Sequence, residues 1–144
     1  MARIDLKKDL DMSIEKVYEI LADLMTLPRW NIVVNEITDL GDDKYFLKTN
    51  VGDVTNIVTE RVPNKSITSD QEGSPMESIG YIVEPKGIGS EVTLWATFED
   101  ESQTAVLKIA GDFFLKSLKA YVNHLIAGGI PEAYKKDMDV IQKA

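Results

Sequence analysis

From Val33 to Asp100 the sequence carries strand patterns and turn signals one after another, and a single long apolar helix follows them. That order restricts the fold more than any one motif does. Strands joined by short turns must pair antiparallel, because parallel pairs need long crossovers. A sheet of this kind, open on one face, needs apolar cover. The helix after "DESQ" is the element with enough apolar surface to supply it. One row holds Val106, Ile109, Ala110, Phe113, Ala120 and His124, with Ser117 as a polar member, and the adjacent row holds Leu107, Phe114, Leu118, Tyr121 and Leu125. Apolar residues over so wide an arc require cover on more than one side. If the sheet curls around this helix, side chains need not fill the space between them, and a cavity results.

Local signals give the remaining elements. "ARIDLKKDL" alternates as a strand, and Ser13 then stands where an N-cap belongs, ahead of Ile14, Val17, Tyr18 and Leu21 at helical spacing. Pro28 lacks an amide hydrogen and restricts Leu27, so the first helix stops before it and a short second turn carries Trp30 around a bend. Gly41-Asp42-Asp43, "PNK", "EGSPM" and "PKGIGS" are turn signals between strands. "SEVTLWATFED" is the cleanest alternation, with Val92, Leu94, Ala96 and Phe98 on one face and Thr93, Trp95 and Thr97 on the other. Gly128-Gly129 ends the long helix. Pro131 suits the first turn of a short terminal helix with Tyr134, Met138 and Ile141 in register.

The 144 residues fit one domain, 1–144, with 128–144 as an extra C-terminal helix. A net charge of -8 repels nucleic-acid phosphates and anionic lipid surfaces, and no basic patch offsets it. The absence of cysteine removes thiolate chemistry, and no apolar run suggests a signal peptide or a membrane span. The expectation is a cytoplasmic protein.

The order of elements, together with "LPRWN", "TERVPNKSIT" and "GIGSEVTL", resembles the START-like or SRPBCC superfamily, the helix-grip fold shared with birch pollen allergen. Among its members the chain is most similar to the small polyketide cyclase/dehydrase-like and coenzyme-Q-binding-like ones. The resemblance runs from about Ile4 to Leu125. It rests on Trp30 at the helix end, on Glu60 to Pro63 at a strand end, and on the turn Gly89-Ser90-Glu91-Val92, where many relatives carry threonine in place of Ser90. It implies an α+β fold: a curved antiparallel sheet of six or seven strands around a long C-terminal helix, with two short helices after the first strand. It also implies a deep apolar cavity used for lipids, polyketides, sterols or hormones. "GGIPEAYKKDMDVIQKA" extends beyond the match.

On that basis Trp30, Tyr45, Tyr81, Trp95, Phe113, Phe114, Ser117 and Leu118 are the candidate ligand-binding residues. Each has a plainer alternative. Trp30 serves equally to pack the bend, and the strand aromatics line a cavity only if register turns them inward. Phe113, Phe114 and Leu118 are core residues in either case, and Ser117 either leaves room for a guest or bonds back to its own helix. His124 is the sole histidine and reads as a half-buried helix residue with one ordinary hydrogen bond; a zinc set is not expected without partners. Glu60 and Arg61 point to opposite faces, so at most one enters a cavity. No nucleophile–base pair stands out, so neither catalytic residues, metal nor cofactor is assigned.

Three functions fit these features. The first is binding of a small hydrophobic molecule between sheet and helix. The second is a cyclase or dehydratase acting on a polyketide-like substrate, with Tyr45, Tyr81, Glu60 and His124 as the available groups. The third is a module that docks on a protein partner or on a second copy of itself.

Overall fold

The computed structural model describes residues 1–144, and its element ends follow from local chemistry. β1 (Ala2–Leu10) leads to α1 (Ile14–Ala22), whose N-cap Ser13 accepts from the Lys16 amide. A single 3-10 turn, Leu24–Thr26, precedes α2 (Leu27–Trp30), which has Pro28 in its first turn. Six strands follow: β2 (Val34–Gly41), β3 (Lys44–Thr49), β4 (Gly52–Val62), β5 (Ser66–Glu72), β6 (Met76–Lys86) and β7 (Gly89–Phe98). Another 3-10 turn, Glu101–Gln103, opens into α3 (Thr104–Ile126), and α4 (Met138–Gln142) comes near the end.

All seven strands form one antiparallel sheet in the order β1-β7-β6-β5-β4-β3-β2. The chain therefore lays β2 to β7 as a meander and closes β7 against β1. Register shifts within β2/β3, β4/β5 and β6/β7 bend the strands, as bulges do, and curl the sheet.

α3 lies on the concave face, but not evenly. At Gly111 it comes so near β1 and β7 that a Cβ there would meet Leu6 Cδ1 at 2.6 Å and Leu94 Cδ2 at 3.3 Å. Over β3, β4 and β5 the sheet curves away, and α1, the first 3-10 turn and α2 fill part of the opening with Leu21, Leu24 and Leu27 respectively. Arg61 ties this layer to the sheet: its guanidinium donates to the Ala22 carbonyl at 2.8 Å, at the end of α1, and to the Asp43 carboxylate at 3.1 Å.

Beyond α3 the chain does not form the terminal helix predicted from Pro131. It makes one 3-10 turn, Pro131–Ala133, and is extended at Tyr134. Tyr134 turns inward onto Tyr121 and His124, with ring centroids 5.1 Å from each. α4 then buries Ile141 completely, and Met138, expected in the same stripe, stays exposed. The Lys136 ammonium donates to the carbonyls of Asn31 at 3.1 Å and Val34 at 2.9 Å. No helix is long and apolar enough to cross a membrane.

Candidate functional site

The uneven seat of α3 leaves three chambers between helix and sheet. The outermost has a volume of about 200 Å³ and lies beneath the first turns of α3. Val34, Leu47, Val54, Met76, Leu107 and Phe114 form its walls, and Val51 and Val106, both more than half exposed, stand at its mouth. A second, of about 40 Å³, lies deeper under α1 and α2, against Leu24, Leu27, Ile67, Ile79 and Tyr81. The third, of about 20 Å³, lies toward β1 and β7, beside Gly111. Phe114 belongs to the walls of all three, and Leu47 and Gln71 are shared by the outer and the deep one.

No Asp, Glu, Lys, Arg or His lines any of these chambers. Thr49, Ser74 and Gln103 contribute polar side chains to the outer chamber, and the deep one is edged by a polar strip on β4 and β5. Asn56 Nδ2 donates to Ser69 Oγ at 3.0 Å, and Gln71 Nε2 donates to Asn56 Oδ1 at 3.1 Å, leaving the buried Gln71 Oε1 without a partner. Tyr81 is half-buried and lines the deep chamber. Desolvation accordingly holds its phenol well above the usual value, so it stays protonated across the physiological range.

A wider surface cleft, about 730 Å³, runs between α1 and the end of α3. Asp11, Lys16, Glu19, Asp23, Arg29 and Glu132 line it, a solvated set of mixed charge. It lacks the apolar enclosure of a small-molecule site.

Of the residues singled out from the sequence, Tyr81 and Phe114 face these chambers. The others are placed elsewhere, each for a physical reason. Trp30 has no exposed surface and stacks on Tyr121 at 6.4 Å, so it packs the bend. Trp95 lies on the convex face, over Gly80 and beneath the Arg3 guanidinium, 4.9 Å from its ring centroid. Tyr45 shares the concave face with its cross-strand partner Asn56, but its hydroxyl reaches out to Asp43 at 3.4 Å. Phe113 is half-buried on the neighbouring face of α3, and Leu118 is sealed in the core. Ser117 neither leaves room for a guest nor bonds to its own helix. Its buried hydroxyl accepts from the Ile32 amide at 3.2 Å, joining α3 to the start of β2.

His124 is half-buried and makes one hydrogen bond, 2.8 Å to the Ile130 carbonyl, well away from the chambers. No group of three or more potential metal-ligating side chains comes together. The polar strip was not anticipated, although a signal for it existed. Asn56 interrupts the row Val54, Asn56, Val58, and Ser69 and Gln71 follow Ile67 on the same face.

A curved sheet gripping one long helix, with apolar space left between them, defines a helix-grip protein of the START-like class. The chain belongs to the family described as polyketide cyclase/dehydrase and lipid transport, whose model matches residues 1–125. Solved structures agree on the fold. XoxI from Bacillus cereus is 18% identical, with a TM-score of 0.76 over 88% of this chain and 99% of its own. A START superfamily protein from Mycobacterium smegmatis is 15% identical, with a TM-score of 0.69 over 85% of this chain and 98% of its own. The Aha1 dimer from Colwellia psychrerythraea is 23% identical, with a TM-score of 0.66 over 85% and 96%. No curated protein sequence matches the chain.

Proposed function

We propose that the protein is a cytoplasmic carrier for a small hydrophobic molecule, held in the outer chamber beneath α3. The observation that carries this reading is the chamber itself: about 200 Å³, walled mostly by aliphatic side chains and Phe114, with the exposed Val51 and Val106 at its rim. An apolar cavity of about 150 Å³ stays dry and takes up benzene, so this one has room for a guest of one or two rings. It is smaller than the ~300 Å³ at which drug-sized sites begin, which argues against a full-length lipid. Transfer of such a guest from water contributes about 25 cal/mol per Å² of apolar area buried, before ordering costs.

The carrier reading outranks the cyclase or dehydratase reading because the walls hold no carboxylate or imidazole to serve as a general base. Tyr81 is the sole titratable residue among them, and burial keeps it neutral. Glu60 and His124 lie elsewhere.

The test is native mass spectrometry of protein purified gently from cell extract, followed by organic extraction. The expected result is a complex heavier than the chain by one small apolar molecule. Bare protein, together with no thermal stabilisation by any member of a panel of one- and two-ring compounds, would overturn the proposal. The same spectra report whether the chain pairs with a second copy.

A further inference from the structure

Resting on the carrier reading, the walls also specify the chemistry of the guest. We infer that the cavity takes a neutral hydrophobic molecule with a single hydroxyl group, which Gln71 holds, and that Phe114 limits its length. The first ground is charge. A carboxylate or phosphate entering these chambers would leave water and find no cation, since no Lys, Arg or His lines them. Fatty acids and phospholipid headgroups are thereby disfavoured.

The second ground is the unpartnered Gln71 Oε1. Its own amide nitrogen is committed to Asn56, and Asn56 in turn to Ser69, so this strip fixes the Gln71 amide in place. A buried acceptor without a donor is costly, and a guest that supplies the donor removes that cost. A hydroxyl suits the position best, because it supplies the donor that Gln71 Oε1 lacks without bringing a charge. A carboxylate would set acceptor against acceptor.

The third ground is location. Gln71 and Phe114 both stand where the outer chamber meets the deep one. A head bound at Gln71 therefore leaves its apolar body in the outer chamber, toward Val54, Met76 and Leu107. The Phe114 ring closes the way inward, and its removal would join all three spaces.

The experiment titrates the protein at pH 7 by calorimetry with three probes built on one ring system: 1-naphthol, 1-methylnaphthalene and 1-naphthoate. Wild type should bind 1-naphthol about tenfold more tightly than 1-methylnaphthalene, the scale of one hydrogen bond, and 1-naphthoate least of all. In Gln71→Met, checked for a native circular dichroism spectrum, the naphthol advantage should vanish while 1-methylnaphthalene still binds. In Phe114→Ala a longer probe, N-phenyl-1-naphthylamine, should gain about tenfold in affinity relative to 1-methylnaphthalene, and no relative gain overturns the length limit.

Equal affinity of wild type for naphthol and methylnaphthalene, or tightest binding of naphthoate, overturns the inference and leaves the carrier reading intact. So does a naphthol preference that survives in Gln71→Met. Should that variant fail to fold, the wild-type comparison decides alone. Failure of all four probes to bind either wild type or Phe114→Ala overturns the inference, and together with bare protein in the native mass spectra it overturns the carrier reading as well.

Discussion

Ser117 is completely buried, and its hydroxyl is the acceptor for the Ile32 amide. Replacing it with alanine leaves a partly buried N–H without this acceptor, so Ser117→Ala should lower stability by about 0.5–1.5 kcal/mol. In urea this should appear as a lower unfolding midpoint at unchanged slope; an unshifted midpoint would mean that Ile32 finds another acceptor. The two tryptophans show how far single residues can be read in advance. Val92, Leu94, Ala96 and Phe98 form a more apolar row than the one containing Trp95, and that contrast alone decides the buried face of β7. Trp30 was legible as the end of a helix but not as sealed, because its burial depends on Tyr121, which is 91 positions away in the chain. Gln71 was passed over for the opposite reason: an amide on a strand looks like surface until its neighbours Asn56 and Ser69 prove to be inside.

At the scale of elements, sequence signals worked where one residue suffices. Ser13 starts α1, Pro28 opens α2, and Gly128, with φ of 88°, follows the end of α3. They failed after Pro131, where the rings of Tyr121 and His124 hold Tyr134 in extended backbone and cut the predicted helix to one turn. The entry into α3 depends on Asp100, whose carboxylate accepts from the Ser102 amide at 3.0 Å and hydroxyl at 2.6 Å. Those bonds hold its carboxyl below the usual aspartate value. A depressed carboxyl contributes stability that is present above its unfolded pKa and is lost as pH falls through the folded one. Asp100→Ala should therefore unfold more readily than wild type at pH 7, with the gap closing in acid below the usual aspartate range. Thermal melts across that range check this, and a gap independent of pH would assign the effect to the loop backbone instead.

For the whole molecule, the decisive property is that α3 is pressed against β1 and β7 at Gly111 but stands off from β3, β4 and β5. The order of elements made the grip readable in the sequence. The stand-off was not readable, because it comes from three register shifts and one close approach that no local pattern encodes. A guest that fills the gap binds the folded state alone. At a hundredfold excess over its dissociation constant it should add about 2.7 kcal/mol of stability. That corresponds to a rise in Tm of about 5–10 °C, which differential scanning fluorimetry with 1-naphthol would register. The residues past 125, outside the family match, have a part in this that their position conceals. Lys136 clasps the carbonyl of Val34, and the Val34 side chain is a wall of the outer chamber. A tail that lines none of the three chambers thus braces the backbone behind one of their walls.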